Sequence, residues 1–331
     1  MLNPHLKLNP HVFDDEVEQK ATRDGYGTGL VALGQKNKDV LVLTADLSES
    51  TRCDEFAKKF PEQFLDVGVA EQNMAAMASG LAVSGKTVFI SSYATFNPGR
   101  NWEPIRTTIV YNDANVKIAG HHSGIMTGPD GATHQATEDI ASVRAWPNIQ
   151  IFVPCDALEA QKTTIYAGST YGPMYLRFSR DKTPLITTDE TPFAPGSVQV
   201  FWTSGKPKVT IFAMGYLLYD ALLAARELEK EGVEVLVANV ATIKPFDIKT
   251  TIALAEKTGA IVSVEDHQVS GGLGGLLAET LMKHYPVPME CIGLQDTFAQ
   301  SGTPKELKEK YHMDKDAIKK AVLQVISRKK K

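Results

Sequence analysis

Residues 64–91, FLDVGVAEQNMAAMASGLAVSGKTVFIS, contain a complete strand–helix–strand unit. Phe64–Val69 is a short apolar run that predicts a strand, and Thr87–Ser91 predicts a second one. Between them, Glu71–Ala82 has the length and composition of a helix. A strand, a helix and another strand in this order are typical of an α/β fold built on a mainly parallel sheet.

The same alternation continues on both sides of this unit. Apolar strands are predicted at residues 40–44, 116–120, 149–153 and 174–178, and again at 209–213, 233–237 and 260–264. The segment from 182 to 208 contains several prolines and no helical period, which indicates a domain boundary. We therefore predict two domains, each a mainly parallel sheet flanked by helices, at residues 1–185 and 207–331, with a linker at 186–206.

The composition excludes several classes of function. The chain has 331 residues, of which 43% are hydrophobic, and its formal net charge is −4. Scattered charges of this kind predict no nucleic-acid partner. No stretch has the length and apolarity of a signal peptide or a membrane span, so no membrane association is expected. Three widely separated cysteines, Cys53, Cys155 and Cys291, fit a reducing compartment, and a cytoplasmic location is expected.

Glu71 stands where a predicted strand gives way to a helix, at the edge of a parallel sheet where α/β proteins bind ligands. A glutamate in the first turn of a helix can simply complement the helix dipole. The helix that follows is rich in small residues, including Ala75, Ala78 and Gly80, so another backbone can approach it closely. This pattern favours a carboxylate that points into a subunit contact.

A second candidate site is the loop TGPDGATHQ, residues 127–135. His134 in this loop can titrate near neutral pH and exchange protons with a substrate oxygen, although a loop histidine can also be held by the surrounding backbone. Asp130 adds an acceptor for a hydroxyl group. His121 and His122 follow a predicted strand, where adjacent side chains point in opposite directions, so they are not expected to share a metal ion.

The segment Val67–Asn73, followed further along the chain by the string Asp130–Gln135, resembles the thiamine-diphosphate enzymes of the transketolase family. The resemblance covers nearly the whole chain. Residues up to 185 resemble the pyrimidine-binding domain of that family, and residues from 207 resemble its C-terminal domain. The resemblance implies a thiamine-diphosphate-binding fold and thiamine diphosphate as the cofactor.

The resemblance also implies which residues contact the cofactor. Glu71 is implied to face N1′ of the aminopyrimidine and to be catalytic. Phe96 is implied to stack on the pyrimidine ring, Asp46 to shape the cofactor site at the dimer contact, and Trp102 to add aromatic surface. Gly99 stands where family members have an aromatic residue, so this part of the aromatic wall departs from the family pattern.

For the substrate, the resemblance implies that His134 is catalytic and contacts the carbonyl or the adjacent hydroxyl of a donor ketose. Asp130 is implied to select the configuration of a sugar hydroxyl. Four residues are implied to bind the sugar phosphate, for whose geometry guanidinium groups are well suited: Arg23, Ser50, His122 and Arg180.

One family motif does not occur in this sequence, namely the Gly-Asp-Gly motif that holds the diphosphate and its metal ion. We therefore expect the chain to be the C-terminal-half subunit of a split transketolase. The partner subunit is expected to carry the diphosphate-binding domain and the ligands of Mg²⁺ or Ca²⁺, and no metal site is expected on this chain. Two copies of each chain are expected to assemble and to transfer a two-carbon ketol unit from a ketose phosphate to an aldose phosphate.

Other functions stay open. 1-Deoxy-D-xylulose-5-phosphate synthase has the same domains and a similar Asp-Gly-x-Thr-His-Gln string. The β subunit of 2-oxoacid dehydrogenase E1 is also naturally split, although it is not expected to carry the His134 motif. A non-catalytic scaffold subunit is a further alternative. The glycine run Ser270–Gly275 lacks the spacing of a dinucleotide-binding motif, and we interpret it as a tight turn.

Overall fold

The computed structural model describes residues 1–329; Lys330 and Lys331, the end of the predicted second domain, lie outside the described residues. The chain forms a seven-stranded sheet, a five-stranded sheet and a two-stranded ribbon, with helices packed against the two larger sheets. This architecture confirms the predicted α/β fold. Within residues 1–329, every helix is too short or too polar to cross a bilayer.

The first half of the chain contains eight strands and six helices within the described residues. The strands are β1 (Gln19–Ala21), β2 (Val40–Thr44), β3 (Phe64–Asp66), β4 (Thr87–Tyr93), β5 (Val116–His121), β6 (Gln150–Phe152), β7 (Met174–Arg177) and β8 (Lys182–Pro184). The helices are α1 (Thr22–Lys36), α2 (Asp54–Lys59), α3 (Glu71–Val83), α4 (Trp102–Pro104), α5 (Asp139–Arg144) and α6 (Ala157–Ser169). A π-helical turn at Ile105–Val110 extends α4.

The second half, up to residue 329, contains six strands and five helices. The strands are β9 (Gln199–Trp202), β10 (Val209–Ala213), β11 (Val235–Asn239), β12 (Thr242–Lys244), β13 (Ile261–Gln268) and β14 (Met289–Leu294). The helices are α7 (Leu218–Lys230), α8 (Ile248–Thr258), α9 (Leu273–His284), α10 (Pro304–Lys310) and α11 (Lys315–Ser327).

The seven-stranded sheet has the strand order β12-β6-β7-β5-β4-β2-β3, and all neighbours are parallel except β12 and β6. All five residues of β2 are buried, as expected for a parallel strand that is covered on both faces. Helices α1 and α6 pack unusually closely against each other. A Cβ atom added to Gly25 would lie 1.9 Å from the carbonyl oxygen of Ala157, so the contact requires glycine.

The five-stranded sheet has the order β14-β13-β10-β11-β9, with only β9 antiparallel to its neighbour. Two strands depart from the predicted division of the chain. β9 lies within the predicted linker at residues 186–206, and β12 leaves the predicted second domain to pair with β6 of the first sheet. β9 and β12 are short and lie at sheet edges, where pairing with a neighbouring strand decides strand formation more than composition does.

Most of the candidate residues lie at the carboxyl-terminal edge of the seven-stranded sheet. The parallel strands β2, β4, β5 and β7 all end there, and α3 begins there after β3. The loops that follow these strands contain Asp46 and Ser50, then Phe96, then His122, Asp130 and His134, and finally Arg180. The topology therefore gathers these residues at the edge where α/β folds bind their ligands.

Candidate active site

Glu71 is the first residue of α3, and its side chain is only 2% exposed. Its Oε2 atom is buried and has no hydrogen-bond partner among the described residues. The nearest cation is Arg100, whose Nη1 lies 3.9 Å from Oε2, and Asn101 donates to the Glu71 carbonyl oxygen at 3.2 Å. A buried carboxylate oxygen without a partner is costly, so this atom is poised to meet a group that the chain itself does not supply.

Next to Glu71 the site contains four rings that contact one another, two aromatic and two imidazole. Tyr93 stacks on Phe96 with 6.1 Å between ring centroids, and its ring lies 4.0 Å from the ring of His122. His134 meets Phe96 edge-on at 5.6 Å, and its Nδ1 lies 2.8 Å from the hydroxyl of Thr133. These contacts place the proposed proton-exchanging histidine beside the proposed pyrimidine-stacking ring.

His122 also connects the rings to a basic cluster. Nη1 of Arg23 donates to Nε2 of His122 at 2.9 Å and to the carbonyl oxygen of Ser50 at 2.9 Å. Because Nε2 accepts this hydrogen bond, the neutral ring carries its hydrogen on Nδ1, which is buried without a partner in the described part of the chain. Burial, and next the charges of Arg23 and Arg180, lowers the pKa of His122 to about 3. His122 is therefore a neutral donor at physiological pH.

Arg180 completes the basic cluster, and its side chain is partly exposed. Its Nη1 donates to the carbonyl oxygen of Thr127 at 2.7 Å and to Oδ1 of Asp130 at 3.0 Å. The hydroxyl of Thr127 in turn donates to the carbonyl oxygen of His122. The structure thus brings Arg23, Ser50, His122 and Arg180 together, and it pairs Asp130 with one of them.

The rings and the basic cluster form one continuous arrangement with Glu71, which we call the site array: Glu71, Arg100, Phe96, Tyr93, His134, His122, Arg23, Ser50, Arg180 and Asp130. Arg100 joins Glu71 to the rings, because its Nη1 lies 3.9 Å from Oε2 of Glu71 and its guanidinium carbon lies 5.2 Å from the centroid of the Phe96 ring. All ten residues come from the first 185 residues of the chain.

Two predicted cofactor residues lie beside this array. The ring of Trp102 packs on Trp146 with 5.1 Å between centroids, and its Nε1 donates to the carbonyl oxygen of Ser142. Asp46 is exposed in the loop after β2, where its backbone N–H donates to Asp66. A cofactor role for these two residues stays a prediction.

Sequence reasoning did not identify Tyr93, Arg100 or Thr127 as parts of the site. Tyr93 ends β4 and precedes Phe96 by three residues, which is a signal that could have been used. Arg100 and Thr127 give no such signal, because the contact of Arg100 with Glu71 and that of Thr127 with Arg180 join residues distant in sequence. The adjacent histidines point apart as predicted, since His121 packs between Tyr26 and Phe178, away from His122.

The glycine run begins with a turn at residues 270–272, as interpreted from the sequence, and its last three residues are the first turn of α9. The backbone N–H groups of Leu273 and Gly274 both donate to the carboxylate of Glu265 at 2.7 Å. The chain's own buried carboxylate therefore occupies the helix N-terminus where a dinucleotide phosphate would bind.

The array suits an aminopyrimidine. Such a ring offers a nitrogen that can pair with the free oxygen of Glu71 and a flat face that can lie against Phe96, whose ring is half-buried. Within residues 1–329 there is no group of three or more His, Cys, Asp or Glu side chains placed to hold a metal ion.

Two family models match this chain. Residues 18–185 match the transketolase pyrimidine-binding domain, and residues 200–318 match the transketolase C-terminal domain. The first match contains every residue of the site array.

Individual relatives agree with these models. A protein of Methanocaldococcus jannaschii, described as a transketolase C-terminal section, is 40% identical over 92% of this chain and 96% of its own length. A 6-deoxy-6-sulfo-D-fructose transketolase subunit from a Clostridium species is 34% identical over 96% of this chain and 98% of its own length.

The structural comparison gives the same family. A split-gene transketolase solved as an inactive β4 tetramer superimposes with a TM-score of 0.86 and 41% identity, covering 95% of this chain and 100% of the other. The human transketolase is longer: it is 33% identical over 93% of this chain, which spans only 49% of the human protein. The chain belongs to the transketolase family.

Proposed function

We propose that this chain is the C-terminal-half subunit of a split, thiamine-diphosphate-dependent transketolase. Together with its partner subunit it would transfer a two-carbon ketol unit from a ketose phosphate to an aldose phosphate. The observation that carries this proposal is the site array, because it joins a buried carboxylate with a free oxygen to a half-exposed histidine and a cluster of side chains whose chemistry suits a phosphate group.

Bound thiamine diphosphate would supply the electron sink for breaking the carbon–carbon bond beside the donor carbonyl. Glu71 would pair with its aminopyrimidine, and Phe96 would support the flat face of that ring. Asp46 and Trp102 would complete the binding site near the subunit contact. The diphosphate and its Mg²⁺ or Ca²⁺ would be held by the partner subunit.

The substrate would lie along the remainder of the array. His134 would exchange a proton with the donor's carbonyl oxygen or adjacent hydroxyl, and Asp130 would accept a hydrogen bond from a sugar hydroxyl. Arg23, Ser50, His122 and Arg180 would hold the phosphate. Nη1 of Arg180 is the donor in both of its observed hydrogen bonds. Its Nε and Nη2 atoms can therefore still donate to a phosphate oxygen.

The partner subunit is proposed from the relatives, which include a split-gene transketolase and a transketolase subunit, and from the helix that carries Glu71. The human enzyme is about twice as long as the part of it that this chain matches. On α3, Gln72, Asn73, Ala76, Gly80 and Val83 are exposed and form a face of small or uncharged side chains. This face suits close packing against another subunit, and we propose an assembly of two copies of each chain in the cytoplasm.

The test is reconstitution. The chain alone, the candidate N-terminal-half subunit alone and their mixture should each be assayed with xylulose 5-phosphate, ribose 5-phosphate, thiamine diphosphate and Mg²⁺. We expect turnover only in the mixture. A donor ending in a sulfonate, 6-deoxy-6-sulfo-D-fructose, should be assayed in parallel because the Clostridium relative is named for it. Absence of turnover with every donor, although the two subunits bind each other, would overturn the proposal.

The alternatives are separated by their products. A synthase of deoxyxylulose phosphate or a 2-oxoacid dehydrogenase subunit would consume pyruvate, whereas a transketolase consumes the ketose phosphate. A scaffold subunit would consume neither. Product analysis of the mixture after addition of pyruvate therefore distinguishes these functions.

Replacing Arg180 with glutamine should raise KM for the phosphorylated donor by about 10- to 100-fold, since a hydrogen bond to a charged group contributes about 1.5–3 kcal/mol. KM for unphosphorylated xylulose should rise much less, because that donor makes no phosphate contact and is affected only through the pairing of Arg180 with Asp130. The matched control is Lys182→Gln, which removes one positive charge from an exposed side chain two residues away. Equal increases in KM for both donors would show that Arg180 does not contact the phosphate.

A further inference from the structure

The loop that carries Asp130 and His134 rests on the second half of the chain. We call residues 123–137 the substrate loop. Its base is closed by a hydrogen bond of 2.8 Å from the Gly124 N–H to the Ala136 carbonyl oxygen. Two residues of β13 hold this base from the other side: Asp266 accepts from the Ile125 N–H at 2.9 Å, and the Gln268 N–H donates to the Thr137 carbonyl oxygen at 2.7 Å.

The middle of the loop is held by Gln135, whose side chain is only 3% exposed. Its Nε2 donates to the carbonyl oxygen of Gly128, within the loop, at 3.3 Å. The same atom donates to the carbonyl oxygen of Gln300, in the second half of the chain, at 3.1 Å. One buried amide therefore ties the substrate loop both to itself and to the segment Gln300–Gly302.

The backbone of the loop lies against that segment without space for side chains. Gly131 has φ +74°, and a Cβ atom added to it would lie 2.5 Å from Oγ of Ser301. The segment is itself fixed, because Thr303 and Glu306 form a capping box at the start of α10 and the Gln300 N–H donates to the Tyr311 hydroxyl at 2.9 Å. Gln300–Gly302 is therefore a rigid support for the loop.

Gly131 and Gln135 in turn determine where the two substrate residues lie. The N–H groups of His134 and Gln135 both donate to the Gly131 carbonyl oxygen, at 3.0 and 3.1 Å. Asp130 is the residue immediately before Gly131. Any shift of Gly131 against its support must therefore move Asp130 and His134 together.

We propose that the C-terminal domain positions the substrate loop through the contact of Gln135 with the segment Gln300–Gly302. Gln135 is thus a positioning residue that acts through Asp130 and His134. This inference rests on the proposed function for its catalytic consequence, but the contact itself can be measured without any activity.

The first measurement is hydrogen–deuterium exchange on the full chain with Gln135→Leu, a substitution of similar size that cannot donate. We expect faster exchange both in residues 123–137 and in residues 298–305, with the rest of the chain unchanged. Gln295→Leu is the matched control, because Gln295 is exposed and lies in the second half of the chain. A second variant, Gln135→Glu, replaces the donor with a carboxylate that faces two carbonyl oxygens and should give the same pattern.

The second measurement uses the reconstituted complex. We expect Gln135→Leu to lower kcat/KM for ketol transfer by about 10- to 100-fold, as displaced substrate contacts do. Exchange of the cofactor's C2 proton with solvent needs no donor sugar and should be unchanged, in contrast to its slowing by Glu71→Gln. A general loss of structure would slow both processes.

Unchanged deuterium exchange in residues 298–305 would overturn the positioning role, because the loop would then be held without the contact of Gln135 with Gln300–Gly302. Unchanged kcat/KM in an active complex would also overturn it. If the wild-type mixture transfers no ketol unit, the proposed function fails, while the exchange pattern still decides whether Gln135 couples the two domains.

Discussion

Replacing Glu71 with glutamine is expected to reduce ketol transfer by the reconstituted complex by about 10²- to 10⁴-fold, the range that a positioned proton-transfer group contributes. Glutamine keeps the size of the side chain and its ability to form hydrogen bonds. It cannot share a proton with a cofactor nitrogen. Because Oε2 of Glu71 is buried with no partner in the described chain, the loss should appear in turnover and not in folding.

The measurement is steady-state turnover of the mixture, together with thermal unfolding of the chain alone. Glu62→Gln is the matched control, since it makes the same chemical change at an exposed position near β3. Turnover of Glu71→Gln within about twofold of the wild type, far below the expected range, would remove Glu71 from the mechanism. A large drop in unfolding temperature would instead indicate a structural role.

The largest expected effect on stability is that of Arg177→Met. Nε of Arg177 lies 2.7 Å from Oδ2 of Asp139, and the two side chains are only 5% and 1% exposed. Nη2 also donates to the carbonyl oxygen of Asp266 in the second sheet at 2.8 Å. Removal of one partner leaves a buried charge uncompensated, so the free energy of unfolding should fall by about 3–5 kcal/mol.

Urea unfolding of the chain alone measures this difference. The control is Arg328→Met, because Arg328 also pairs with a glutamate, Glu290, but its side chain is 52% exposed. Exposed ion pairs contribute about 0–1 kcal/mol, so this control should unfold nearly as the wild type does. Equal losses in the two variants would show that burial does not determine the contribution of the pair.

The ion pair of Arg177 and Asp139 also predicts how the free energy of unfolding depends on pH. Burial alone would raise the pKa of Asp139, but the charges of Arg177 and His267 lower it below its usual value of 3.8. The folded chain then binds this proton less tightly than the unfolded chain does, so the pair contributes fully above pH 3.8 and its contribution is lost as the pH falls further. The difference in free energy of unfolding between the wild type and Arg177→Met should therefore be constant near neutral pH and become smaller in acid. A difference in free energy of unfolding that becomes larger in acid would contradict the lowered pKa of Asp139.

The sequence by itself determined the fold class, the family and the edge of the sheet at which the candidate site lies. β2 was predicted with the bounds that it has, and α3 was predicted to within one residue. These predictions succeed because a buried parallel strand is apolar along its whole length and because such strands present their carboxyl ends at a common edge. Glu71 and His122 could be placed from their positions at a helix start and a strand end, whereas the family resemblance pointed to Phe96, Asp130 and Arg180.

Only the tertiary structure decided how these residues meet. The contact of Arg100 with Glu71, the pairing of Arg180 with Asp130 and the support of the substrate loop by Gln300–Gly302 all join residues distant in sequence. Asp139 and Arg177 gave no signal, because an isolated charged residue in a sequence normally lies in water. Burial and pairing depend on which residues the fold places next to each side chain, and local sequence patterns do not indicate those neighbours.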